Sequence, residues 1–251
     1  MFVAAIAQFA VNILVLIWIL KKKPGERFSK KTVVKSLLCG MLVLVVGFFL
    51  PLKKDTFFGM NPLLSGFLTA FLTAALMEEV LKYIFFRLAI FRNREVLCWR
   101  DAIIVCVMIA IGFSLVEDLE FAVTGGGDSI LRALLPAHIL FQFVMGYYYG
   151  KARVTKQVKY DVLSLAVPIL MHTVFDMFII AMISILGDPN KYAHASMETL
   201  QNLPNGNYLV PLLICTFVVI IITIVGLILM FRKMNRWSRN GEKQELLNPA
   251  E

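Results

Sequence analysis

The chain has 251 residues, 59% of them apolar, and a formal net charge of +8. Several apolar runs reach the roughly 20 residues that a helix needs to cross a hydrocarbon layer about 30 Å thick. The alternating pattern of a spanning β-barrel is missing, so composition excludes a soluble domain and a barrel and leaves an all-α, polytopic membrane protein.

About seven spans are expected. The first, Phe2–Leu20, has no basic residue before its apolar core and no small-residue cleavage site after it, so it reads as a span and not as a cleaved signal. The second is Val34–Leu52. The third, Leu63–Phe91, is long enough to require tilt or overhang. The fourth is Ala102–Val123, the fifth Ile130–Gly150, the sixth Val162–Leu186 and the seventh Tyr208–Phe231. Residues 1–231 read as one transmembrane domain, with its core at 61–186, and 232–251 as a basic cytoplasmic tail. The longest outer loop runs from about Gly187 to Asn207.

The basic residues are sorted by side. Lys21, Lys22, Lys23, Arg27, Lys30, Lys31 and Lys35 follow span one, and Arg92, Arg94 and Arg100 follow span three. Lys151, Arg153, Lys156 and Lys159 follow span five, and Arg232, Lys233, Arg236, Arg239 and Lys243 follow span seven. The other side carries Lys53, Lys54, Arg132 and Lys191. The positive-inside rule then gives an outer N-terminus and a cytoplasmic C-terminus. The charge is a topology signal with affinity for the lipid bilayer, and nucleic acid is not an expected partner. Cys39, Cys98, Cys106 and Cys215 are scattered, with no Cys-x-x-Cys pair, and are expected to be free buried thiols.

Ionisable residues inside spans are costly and point to function. Glu78, Glu79 and Lys82 lie in span three, Glu117, Asp118 and Glu120 in span four, His138 in span five, and His172 and Asp176 in span six. Glu79, Glu117, His138 and His172 each fall 13 to 16 residues from a charge at the cytoplasmic boundary. At the helical rise that is about 20–24 Å, so four helices bring a carboxylate or imidazole to one layer. Asp118 and Glu120, nearer the outer end, are expected to be solvated, as is His194 in the outer loop. Glu78 and Lys82 are i,i+4 neighbours, which predicts that they pair and leave Glu79, turned away from that pair, as the expected general base. His172 and Asp176 repeat that spacing, so Asp176 can orient the imidazole or join it as a ligand. Pro136 and Pro168 are expected to bend the helices beside the two histidines. Gly146-x-x-x-Gly150 reads as a close helix contact.

Two hydrolytic chemistries suit this set. In one, His138, His172 and a carboxylate, Glu117 among them, hold Zn2+ while another glutamate acts as base. In the other no metal is needed: a buried glutamate activates water, and an imidazole with Asp176 stabilises the oxyanion. No His-Glu-x-x-His spacing decides between them. A proton-coupled transporter would also place acids and histidines at this depth, but it predicts an internal repeat that is not visible.

Five motifs occur in a specific order. They are Glu78-Glu79-x-x-Lys82, Gly112-Phe113-Ser114-Leu115-Val116-Glu117-Asp118, Arg132 through Pro136-Ala137-His138, Met145 through Lys151-Ala152-Arg153, and His172-x-x-x-Asp176. Over most of the chain this order resembles the PrsW family of membrane proteases, relatives of the CAAX-processing and bacteriocin-protection proteases and, more distantly, of Aph-1. The resemblance implies an endopeptidase of the bacterial plasma membrane that cuts single-pass membrane-anchored proteins, such as an anti-sigma factor in its first cleavage. It assigns Glu78, Glu79, Glu117, His138 and His172 to the site. It also admits a non-catalytic scaffold of the Aph-1 type. Where the family usually has Glu-Asn, this chain has Glu117-Asp118.

Overall fold

The computed structural model describes residues 2–21, 28–49, 57, 60–124, 135–187, 192 and 195–239. Among them there is no strand. The helices are α1 (Phe2–Leu20), α2 (Lys30–Phe48), α3 (Pro62–Ile90), α4 (Trp99–Thr124), α5 (Ala137–Thr155), α6 (Val158–Leu186), the short α7 (Met197–Gln201) and α8 (Leu209–Arg239). Lys22, Lys23, Arg27, Lys53, Lys54, Arg132, Lys191, His194 and the residues after Arg239 lie outside the described residues.

Among the described residues, five helices are long and apolar enough to cross a membrane: Lys30–Phe48, Pro62–Ile90, Trp99–Glu120, Val158–Leu186 and Gly206–Arg236. The apolar part of α1 is shorter, Phe9–Leu20. α5 has the length but carries Gln142, three tyrosines and Lys151. The expected start of its span, Ile130, lies outside the described residues.

Local chemistry sets the helix ends. The Ser29 hydroxyl accepts from Thr32 N–H at 3.2 Å to open α2. The Asn61 side chain accepts from Leu63 and Leu64 N–H, with Pro62 at the first turn of α3. α5 stops where Lys156 turns left-handed (φ 56°) and its N–H returns to the Ala152 carbonyl at 2.8 Å. Pro136 stands immediately before Ala137, so it precedes α5 and does not bend it, contrary to expectation. Pro168 lies inside α6, which continues through it.

α3 is not uniformly α-helical. Thr69–Ala75 forms π turns, with Leu76 N–H bonded to the Phe71 carbonyl five residues back. The Thr73 hydroxyl takes the Thr69 carbonyl at 2.7 Å, which helps satisfy the widened turn.

The chain forms two compact units. One contains Met1–Leu50, Glu78–Pro168 and Val225–Glu251, and the other Pro51–Met77 and Ile169–Ile224. In the first unit α4 is central: 83% of its apolar window is buried, and Ala102 through Ile111 have no exposed surface. Backbone-to-backbone approach makes this possible. A Cβ on Gly112 would collide with the Leu37 carbonyl oxygen of α2, and one on Gly40 with the Ile109 carbonyl oxygen of α4. Gly146 meets Ile103 and Gly150 meets Trp99, so the small-residue pair of α5 packs against α4 as its spacing predicted. Trp18 of α1 meets Phe231 of α8 edge-on at 4.7 Å. In the second unit Gly66 of α3 lies against Met177 and Ala181 of α6. Cys39, Cys98 and Cys106 are buried free thiols, and Cys215 is half-buried and free.

Candidate active site

The first unit brings α3, α4 and α5 together around Lys82. Glu79 and Lys82 have no exposed side-chain surface, whereas Glu78 is 22% exposed. Lys82 Nζ donates to Glu79 Oε1 at 2.8 Å and to Glu78 Oε2 at 3.1 Å. It also lies 3.3 Å from His138 Nδ1 and 3.8 Å from the centre of the Phe113 ring. The i,i+4 expectation was therefore incomplete. Lys82 reaches Glu79 at i+3 more closely than Glu78 at i+4, because both spacings meet on one helix surface. Glu79 is the more deeply held carboxylate and Glu78 the more accessible one.

The second Glu79 oxygen, Oε2, accepts from Gln142 Nε2 at 2.7 Å. Gln142 is fully buried and its Oε1 has no hydrogen-bond partner. It was missed in the sequence because it carries no charge. The available signal was its position four residues after His138, on the same face of α5.

His138 joins α5 to α4. Its Nε2 lies 3.0 Å from Glu117 Oε2, with the two side chains 15% and 12% exposed. The ammonium has donors only, so Nδ1 is the bare nitrogen and Nε2 carries the hydrogen given to Glu117. Phe113 meets the imidazole edge-on at 4.9 Å and Phe141 at 5.8 Å, fixing its plane from two sides. Glu117 thus acts on the imidazole from the side opposite Lys82.

Four further residues singled out in the sequence remain. Asp118 is buried, not solvated: it is 7% exposed and Oδ2 accepts from Asn12 Nδ2 of α1 at 3.0 Å. Depth along α4 could not reveal that α1 covers this position. Glu120 is exposed, as expected. In the second unit the predicted α6 pair forms, with His172 Nε2 3.1 Å from Asp176 Oδ2. His172 is buried and Asp176 half-buried.

One ligand atom from each of Glu78, Glu79 and His138 lies within 4.8 Å of the others. Tetrahedral Zn2+ with bonds of about 2.0–2.2 Å sets its ligand atoms roughly 3.4 Å apart, so small side-chain shifts would close this set. Two carboxylates and an imidazole are also the right donors for that ion. The residues fit a metal by chemistry, with Lys82 as a rival cation on the same atoms.

Largely buried acids bound to an imidazole within a bundle of apolar helices fit a hydrolase that works in the membrane. The sequence comparisons agree. A family model described as PrsW family intramembrane metalloprotease matches residues 29–199, well over half of the chain, and the chain belongs to this family. It is 30% identical over 149 residues to Protease PrsW of Oceanobacillus iheyensis, covering 57% of this chain and 68% of that one. It is 27% identical over 190 residues to Protease PrsW of Bacillus subtilis, covering 72% and 85%, and 28% identical over 175 residues to Protease PrsW of Clostridioides difficile, covering 64% and 72%. No solved structure matches. The protein is a multi-pass membrane protease acting on membrane proteins.

Proposed function

We propose that the protein cuts single-pass membrane-anchored substrates near the outer part of the bilayer, in the manner of a first cleavage of an anti-sigma factor. The observation that carries the hydrolytic part of this reading is the largely buried network Glu117–His138–Lys82–Glu79–Gln142 with the accessible Glu78 at its edge. Glu78 is the base. It takes a proton from water as the water attacks the peptide carbonyl, and returns it to the leaving amine. Glu79, held by Lys82 and Gln142, positions the α3 side of the site. Glu117 orients the His138 imidazole.

His172, oriented by Asp176, supplies the second imidazole. Two residues, Lys156 and Gln157, separate α5 from α6, and Tyr148 stacks on Tyr160 across that turn. Helical rise carries His138 about 26 Å and His172 about 21 Å from the turn, which supports a shared depth. Glu79, His138 and His172 would hold Zn2+, which when bound polarises the peptide carbonyl and the attacking water. Lys82 among these donors favours the metal-free alternative, in which Glu78 acts alone as base and His172 with Asp176 meets the oxyanion.

Seven spans with an outer N-terminus complete the proposal. Reporters fused after Arg94 and Lys156 should read cytoplasmic, and those after Asp55 and Gly126 outer. A reversed pattern would move the site to the other leaflet.

The catalytic test is Glu78→Gln in purified protein with a membrane-anchored reporter. Cleavage should fall about 100-fold or more while the chain stays folded. Full cleavage by Glu78→Gln together with a folded but dead Glu79→Gln would exchange their roles. Activity in the double variant would end this mechanism.

A further inference from the structure

Lys82 stands where a metal would be held. Its Nζ lies on Glu79 Oε1, Glu78 Oε2 and His138 Nδ1 at 2.8, 3.1 and 3.3 Å. These belong to three of the residues whose ligand atoms cluster. An ammonium has three N–H donors and no acceptor. All three are used here, and the Phe113 ring covers a further side at 3.8 Å. The side chain has no exposed surface, so the ammonium is committed to this set.

We propose that Lys82 is the resident cation of the metal-free site, and that its ammonium and Zn2+ occupy that site in turn. The inference rests on the hydrolytic reading of the same cluster. Lone pairs of Glu79 Oε1 and His138 Nδ1 that face an ammonium are not available to a metal. Two cations on shared ligands also repel strongly in a low-dielectric interior. Metal entry therefore requires the lysine side chain to leave, and metal loss lets it return.

The arrangement differs from structural zinc sites, whose ligands are left uncompensated without the ion and whose domains unfold. Here an internal ammonium is hydrogen-bonded to both carboxylates before any metal arrives. The chain can fold and insert without the metal, and metal supply then decides how much of it is loaded. Lys82 is a positioning residue in this scheme, because it touches the site's ligands and not the substrate.

The test uses the full chain in detergent, stripped with chelator, as wild type, Lys82→Met and Lys82→Arg. Bound Zn2+ per chain is measured by elemental analysis at graded free Zn2+, and Tm is measured with and without the ion. Lys82→Met should bind one Zn2+ at least tenfold more tightly than wild type, with a larger rise in Tm. Lys82→Arg keeps the charge and should bind no more tightly than wild type. Should metal-free Lys82→Met fail to fold, growth and purification with Zn2+ should restore it, because the ion replaces the missing ammonium.

Equal or weaker affinity in Lys82→Met overturns the inference, as does failure of Zn2+ to restore a variant that does not fold alone. Neither readout uses cleavage. A wild type that needs Glu78 for cleavage but shows no effect of residue 82 on Zn2+ would sink this inference and leave the hydrolytic reading standing.

Discussion

α4 and α8 are both apolar enough to span a membrane, yet they are buried in the reverse order of their hydropathy. The α4 window has mean hydropathy 2.3 and is 83% buried, whereas that of α8 has 3.2 and is 28% buried. On α8, Ile214, Phe217, Ile221, Ile222 and Leu229 are each more than half exposed. In water this order would be unstable. In lipid an exposed isoleucine loses nothing, and the centre goes to the helix whose small residues allow close packing and whose polar groups find partners. Gly112 gives α4 its contact with α2, and Glu117 and Asp118 are bonded from α5 and α1. The difference teaches that polarity and small size, more than apolarity, mark the functional centre of this chain.

The comparison can be broken most forcefully at Gly112. Gly112→Leu sets a side chain against the Leu37 carbonyl oxygen, a backbone atom that no rotamer change can move. Overpacking of a tight interior costs about 1–3 kcal/mol or more. The variant should fail to accumulate in membranes, as read by immunoblot of the membrane fraction. Normal accumulation with unchanged Tm would show that α2 and α4 do not need backbone contact.

A smaller effect is expected at the α1–α4 contact. Asp118→Ala leaves the buried Asn12 amide without its carboxylate, which costs about 1–3 kcal/mol. Asp118→Asn should recover most of that, since an amide oxygen can accept the same hydrogen. Tm in detergent should rank wild type, then Asp118→Asn, then Asp118→Ala. Equal values in all three would return Asp118 to the solvated role that its depth suggested.

The smallest effect sharpens the α8 side. Ile222 is 64% exposed and Leu229 58%. Ile222→Ala and Leu229→Ala should each change stability by no more than about 0.5 kcal/mol in lipid. A large loss would mean that this face is covered by another protein and not by acyl chains.

Much of the helical framework was legible because span length and apolarity are local properties. α1, α3 and α6 end within a few residues of where the sequence put them. The depth argument singled out Glu79, Glu117 and His138, which meet in one network. It failed where tertiary neighbours decide. Asp118 looked solvated because nothing along α4 announces that Asn12 of α1 lies against it. Glu79 looked unpaired because the i,i+4 pair drew attention from the equally adjacent i+3 position. Gln142 was passed over because it has no charge, although burial makes its amide as demanding as an ion. Pro136 was read as a bend, but proline is also at home just outside a helix start.

The π turns of α3 bear on how this protein tolerates changes in length. A wide turn holds one more residue than an α turn over nearly the same rotation. Losing one residue among Thr69–Ala75 lets the segment revert to α geometry while the downstream face stays in phase. The same loss between Glu79 and Lys82 would swing one side chain about 100° away from the other. Evolution and protein engineers alike can therefore trim a residue from α3 ahead of Leu76, whereas the carboxylate–lysine stretch admits substitution but no change of spacing.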